Sequence, residues 1–122
     1  MQIEFTIPGT LPTLNEYIKA ERTNKFIAAK LKKDVQNYIA AYLPELEEPI
    51  SEHVYVYFTW VRPDARTDKD NVAFSKKYIL DAMQRGGIIG RDSWRLCTPY
   101  DKGFFVNKAD PRTVVLVSTE RL

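Results

Sequence analysis

The sequence predicts an α+β domain in which two main helices lie on a mixed, mostly antiparallel sheet, in the order β-α-β-α-β-β-β. Three observations predict it. Segments that alternate in polarity, or that are rich in β-branched and aromatic residues, recur near the start, the middle and the end of the chain. Two longer segments between them carry apolar residues at helical spacing. Clusters of Pro, Gly and Asp separate the two kinds, and neither a linker nor a repeat divides the 122 residues, so residues 1–122 read as one domain.

Gln2–Ile7 opens as a strand, with Ile3, Phe5 and Ile7 on one face. Pro8-Gly9-Thr10-Leu11-Pro12 is turn chemistry, and Thr13 or Asn15 suits a helix cap. The helical pattern from Asn15 to Leu43 carries Phe26, Leu31, Val35, Ile39 and Leu43 on its apolar stripe, with a break near Thr23-Asn24 and a stop at Pro44. His53–Val61 is the second strand. Asp70–Arg85 is the second helix, ending before Gly86-Gly87. Trp94–Tyr100 and Gly103–Asn107 read as a hairpin turning at Asp101-Lys102-Gly103, and Thr113–Thr119 as the last strand.

Composition narrows the function classes. Hydrophobic residues at 44% and charged residues at 28% describe a folded globular chain. No apolar run is long enough to span a membrane, and MQIEFTIPG lacks the charged and apolar regions of a signal peptide. A cytoplasmic protein with no membrane partner is therefore expected. One cysteine, Cys97, excludes an internal disulfide and reads as a small core residue. One histidine, His53, excludes a histidine-rich metal cluster and reads as structural. Phosphate loops, dinucleotide turns and nucleophile elbows are absent.

Charge distribution says more than the net of +2. Residues 15–37 hold six Lys/Arg against three Asp/Glu, and residues 62–91 hold seven against four. Four glutamates between residues 43 and 53 separate these basic segments. One anion-facing surface is one reading, scattered solvated charge the other. Arg22, Lys25, Lys30, Lys32 and Lys33 lie on or near the first helix, where such residues position nucleic acid through phosphate contacts or simply form a solvated face.

The chemistry concentrates in Arg66-Thr67-Asp68-Lys69-Asp70-Asn71 and in Gly90-Arg91-Asp92. In extended backbone, residues two apart share a face, so Asp68 and Asp70 can converge. Asp92 follows the second helix and its glycine-rich turn. Three hard oxygen ligands without His or Cys suit Mg²⁺, with Mn²⁺ as a substitute, and such ions activate water and hold a phosphodiester. Helix capping is the competing assignment, although two acids exceed what one cap requires. On a continuous helix at 100° per residue, Lys77 and Asp81 fall on the stripe of Asp70, while Lys76 lies about 120° away and Val72, Ile79 and Met83 face the core. That stripe is either an exposed face or one that brings Lys77 to the metal site to stabilise charge on phosphate.

With these residues in view, the chain resembles the RusA family of Holliday junction resolvases. The matching pieces are Pro8-Gly9-Thr10-Leu11-Pro12-Thr13-Leu14-Asn15-Glu16-Tyr17, Ala29-Lys30-Leu31-Lys32-Lys33, Arg62-Pro63-Asp64, Asp68-Lys69-Asp70-Asn71, Lys77-Tyr78-Ile79-Leu80-Asp81-Ala82, and Gly87-Ile88-Ile89 before Asp92. They keep the family order. The resemblance implies a metal-dependent endodeoxyribonuclease that cuts four-way DNA junctions as a homodimer, leaving symmetric nicks with 5′-phosphate and 3′-hydroxyl ends. It implies Asp68, Asp70 and Asp92 as the essential acids. The family's lysine falls one turn after the second aspartate, where Phe74 stands here; alignment from Asp81-Ala82 selects Lys77 instead. A basic residue is common before the first aspartate, where this chain has Thr67 with Arg66 beside it. Arg22, Lys25, Lys30, Lys33, Arg66, Lys69 and Lys76 are the expected DNA-contacting residues. A nuclease for other branched DNA and a non-enzymatic structural DNA-binding protein are the alternatives.

Overall fold

A computed structural model describes residues 1–91 and 93–122. Four strands and four helical segments follow one another as β1 (Gln2–Pro8), α1 (Leu14–Thr23), α2 (Lys25–Ala40), β2 (Val54–Arg62), α3 (Lys69–Ala73), α4 (Lys76–Arg85), β3 (Cys97–Val106) and β4 (Arg112–Ser118). The sheet order is β1-β4-β2-β3, antiparallel except for the β2–β3 pair. The α+β class and the mixed sheet agree with the sequence reading.

Each expected main helix is two segments. At the first break, Asn24 is extended, and its side-chain oxygen accepts from the Ile27 N–H at 2.9 Å, so α1 stops where α2 is capped. Thr13 is the cap of α1, its hydroxyl oxygen accepting from the Glu16 N–H at 3.3 Å. The second break departs from the sequence expectation of one helix over Asp70–Arg85. Through Phe74-Ser75 the chain keeps right-handed helical dihedrals, but Ser75, Lys77 and Tyr78 each donate their N–H three residues back rather than four. The Ser75 hydroxyl is drawn out to donate to the Pro12 carbonyl at 2.6 Å. This tighter turn rotates α4 relative to α3, so the uniform 100° spacing from Asp70 to Lys77 does not hold.

The expected hairpin at Asp101-Lys102-Gly103 is instead one continuous strand. Asp101 pairs with Phe58 and Gly103 with the next residue, Thr59, leaving Lys102 as an extra residue in a bulge. A glycine fits there because the Phe105 ring folds back over it, 2.7 Å from where a Cβ would sit. With the hairpin gone, β2, α3, α4 and β3 form a β-α-β unit joining parallel strands.

Helices cover one face of the sheet. Phe5, Ile7, Val54, Val56, Phe58, Trp60, Val115 and Val117 are buried against Val35, Ile39, Val72, Ile79 and Met83. Phe26, placed on the apolar stripe of the first helix by sequence, is 76% exposed: it stands at the start of α2 just past the Asn24 break, out of phase with Val35 and Ile39. Cys97 is buried in β3 as expected. His53 is structural, its ring nitrogens bonded to the Arg95 carbonyl and the Thr98 hydroxyl, both at 2.7 Å.

Candidate metal and phosphate site

Ligands of open sheets with parallel strands collect beyond the carboxyl ends of those strands, where the connecting loops part. Here a cleft of about 420 Å³ opens at that end of the β2–β3 pair. Arg62 ends β2, and Phe104, Phe105 and Val106 end β3. Asp64, Asp68, Lys69 and Asp70 come from the loop and from α3, and line the space between.

Asp68 and Asp70 thus line one cleft, together with Lys69 between them, although α3 begins at Lys69 and the backbone is not the extended one that the spacing presumed. The capping assignment holds by position, with Asp68 at the cap of α3 and Asp70 in its first turn, but not by hydrogen bonding. Asp68 occupies the cap position of α3 with extended backbone, yet its carboxylate makes no capping hydrogen bond. Among the described residues, no hydrogen bond or ion pair engages the side chain of Asp68 or Asp70. Asp64 differs: its carboxylate accepts from the Arg66 N–H at 3.0 Å and lies 4.0 Å from the Arg66 guanidinium. Both Asp68 and Asp70 are exposed, and their lone pairs are free for a cation. Hard oxygen donors in an open, wet cleft fit Mg²⁺ and not a soft metal. Among the described residues no three His, Cys, Asp or Glu side chains converge as a metal group. The expected third acid, Asp92, lies outside the described residues.

The cleft also holds two cations. Lys69 sits over the Phe104 ring with its ammonium 5.7 Å from the centroid. The Nε of Arg62 is buried and has no hydrogen-bond acceptor among the described residues. Sequence reasoning assigned Arg62 no role; the signal for it was its position in Arg62-Pro63-Asp64, immediately after the apolar strand. The β3 wall was also missed, because the strand was read as half of a hairpin.

The two adjacent lysines diverge. Lys77 lines a separate pocket with Tyr17, Lys32, Phe74, Tyr78 and Asp81, so the structure does not bring it to the cleft of Asp68 and Asp70. The tight turn at Phe74-Ser75 is the reason. Lys76 points instead to β3, where its ammonium meets Asp101 Oδ2 at 2.8 Å, while Asp101 Oδ1 accepts from Trp60 Nε1 at 2.9 Å. Of the expected DNA-contacting residues, Lys69 lines the cleft and Arg66 stands on its loop. Arg22, Lys25, Lys30 and Lys33 are exposed on α1 and α2 and do not line it, and Lys30 is paired with Asp34 at 2.7 Å.

Tyr78 gives the Lys77 pocket a measurable signature. The residue is 3% exposed and its hydroxyl has no partner among the described residues. Burial first, then the neighbouring Tyr17, Glu16 and Glu21, push its phenol up to about 12 from the ordinary 10.0. The folded state therefore holds this proton more tightly than the unfolded chain. The resulting stability is fully present below pH 10.0 and is lost as pH climbs through about 12. Tyr78→Phe is expected to flatten that alkaline loss and to cost little at neutral pH, since no hydrogen bond is broken. Urea midpoints measured across the alkaline range check this; equal alkaline slopes in both proteins would refute it.

No helix of the described residues is long and apolar enough to cross a membrane. A scan against protein-family models finds no match to this sequence, and a search of curated proteins finds none either.

Proposed function

We propose that the cleft beyond β2 and β3 is the metal site of an endodeoxyribonuclease that cuts branched DNA, the four-way junction foremost, as a cytoplasmic homodimer. The observation that carries this reading is the pair of unengaged carboxylates, Asp68 and Asp70, lining one open cleft beside the cations Arg62 and Lys69. The resemblance to RusA-family resolvases supports the same reaction. Asp68 and Asp70 would hold Mg²⁺, or Mn²⁺ in its place, with water filling the rest of its shell; the third acid that the resemblance names is Asp92, outside the described residues. When bound, the ion supplies an activated water and a polarised phosphate.

The chain's own residues do the rest. Lys69 and Arg62 provide positive charge along the cleft, which draws a DNA phosphate toward the carboxylates and offsets charge that builds on it. In this reading they take the role the resemblance gave to Lys77. Arg66, exposed on the loop, extends that field outward, and Lys76 braces β3 through Asp101. A junction has approximate two-fold symmetry, so an isologous pair of chains offers one cleft to each of two opposed strands.

The test is a side-by-side cleavage assay with Mg²⁺ on a four-way junction, a fork and a linear duplex. Cleavage of the junction well above that of the duplex, at paired symmetric positions, is the expected result. Equal rates on all three would remove the resolvase assignment. Binding without cleavage of any of them would make this a structural DNA-binding protein.

A further inference from the structure

We propose that the cleft takes a whole nucleotide, its unstacked base lying on the ring of Phe104 while its phosphate meets the carboxylates, an inference that rests on the reading above. Two features of the cleft ask for more than an ion and a phosphate. The first is size. At about 420 Å³ it falls in the range of sites that enclose a small organic ligand, about 300–1,000 Å³. The second is that its two sides differ in kind. Asp68, Lys69 and Asp70 come from the cap and first turn of α3, whereas Phe104 and Val106 supply an apolar wall from β3. A protein that grips only the backbone of a duplex meets phosphates and sugars, and has no use for such a wall.

The register of β3 builds the wall. Beyond the bulge at Lys102, Phe104 pairs with Trp60 and Val106 with Arg62. Residues two apart in a strand share a face, so Phe104 and Val106 lie on the helix-covered side of the sheet, as buried Trp60 does. Phe105 between them turns its ring back over Gly103. Phe104 is half-buried and packed against the core, which holds its ring in place. Val106 is 59% exposed, an apolar side chain left in water beside Arg62.

Lys69 links the two sides. Its ammonium rests over the Phe104 ring at 5.7 Å, near the ~6 Å limit of such a contact. A phosphate in the cleft offers that ammonium a full negative charge, a stronger partner than a ring. Lys69 then moves to the phosphate and uncovers the ring, and a base face takes its place. Bases in a duplex are paired and stacked, and extruding one costs least where it is unpaired or loosely stacked, as at a branch point. The cleft therefore favours branched over linear DNA, without reading which base it holds, because every base has a π-face. A second copy of this chain is a poorer occupant. An apolar side chain pressed on the wall would bury the neighbouring carboxylates and cations unpaired, whereas a nucleotide brings both a ring and an anion.

The test begins by mapping the cut in a four-way junction. The base on either side of it is then removed, one at a time, leaving sugar and phosphate. The unaltered protein should cut one of the two abasic junctions roughly tenfold more slowly, as befits one lost base–aromatic stack. Phe104→Leu keeps an apolar side chain and removes the ring. It should cut the intact junction roughly tenfold more slowly, bind Mn²⁺ as before in calorimetric titration, and no longer distinguish abasic from intact DNA. Phe104→Tyr, which restores a ring, should recover both the rate and the sensitivity to the base. Equal rates of the unaltered protein on intact and both abasic junctions overturn this inference alone, as does a Phe104→Leu protein still slowed by base removal. A Phe104→Leu protein that sediments as a smaller species gives the wall to a second copy and overturns it as well. If no DNA is cut, the endonuclease reading falls, and the Phe104 ring resonances decide what is left. With Mg²⁺ present they should shift on adding thymidine 5′-phosphate and not on adding deoxyribose 5-phosphate; no shift with the nucleotide, or equal shifts with both, ends the proposal.

Discussion

Asp70→Asn is expected to lower Mg²⁺-dependent cleavage of a four-way junction by at least ~10²-fold, the scale on which loss of one charge-stabilising group acts in such sites. The exchange keeps the shape of the side chain and removes the negative charge that a hard cation needs. Asp70 is exposed and no described residue bonds its carboxylate, so the fold has no reason to weaken, and the thermal midpoint should stay within a degree or two. Calorimetric titration with Mn²⁺ should show the accompanying loss of metal affinity. Asp64→Asn is the matched control. Asp64 lines the same cleft, but its carboxylate already accepts from the Arg66 N–H and faces the Arg66 guanidinium. Its replacement should leave cleavage within a few-fold. Full activity in the Asp70→Asn protein, or equal losses in both, would sink the assignment of the carboxylates.

The largest expected effect on stability comes from Trp60. The ring is buried, lies parallel to Phe58 with centroids 5.4 Å apart, and donates Nε1–H to Asp101 at 2.9 Å. Trp60→Ala should cost about 3–5 kcal/mol, the usual range for emptying a large aromatic site in a core. A domain of this size has only about 5–15 kcal/mol to lose, so this variant should be close to unfolding at physiological temperature. Trp60→Phe keeps most of the apolar surface and loses the hydrogen bond, for about 1–2 kcal/mol. Among the described residues, Asp101 then retains Lys76 alone as a side-chain partner. Urea denaturation of the three proteins checks the order, and a Trp60→Ala protein as stable as Trp60→Phe would contradict it.

What the sequence could and could not show follows from the range of the forces involved. Alternation in Gln2–Ile7 and the density of Val, Tyr, Phe and Trp from His53 to Val61 are local signals, and both strands are there. The Asn24 break was legible because a polar side chain with capping chemistry sits where the apolar period falters. The break after Ala73 was not, because it depends on Ser75 reaching Pro12, a residue 63 positions away. The same blindness to distant partners turned Asp101-Lys102-Gly103 into a hairpin. Those residues have turn chemistry in isolation, and only pairing with β2 makes them a bulge. For the site, Asp68 and Asp70 line one cleft, but not by the extended backbone that the two-residue spacing presumed: Asp68 is the extended cap of α3, Asp70 is helical, and Lys69 between them lines the same space. The position of Lys77 was not readable, since helix phase carries over a break only when the geometry of that break is known.

The pairing of β1 with β4 sets a timetable for the chain as it is made. β1 has β4 as its one sheet neighbour, and the Met1 amino group bonds Thr119 Oγ1 across 118 positions of sequence. β1 therefore waits for the following 118 positions before this end of the sheet can close, roughly 6–24 s at ordinary rates of synthesis. Until then Phe5 and Ile7 have no sheet partner to bury them. The β2–β3 unit can assemble earlier, around its own crossover, with the Asp68 and Asp70 cleft at its end. The surroundings of the carboxylates thus come from strands made before β4, whereas closing the core over Phe5 and Ile7 needs β4 itself.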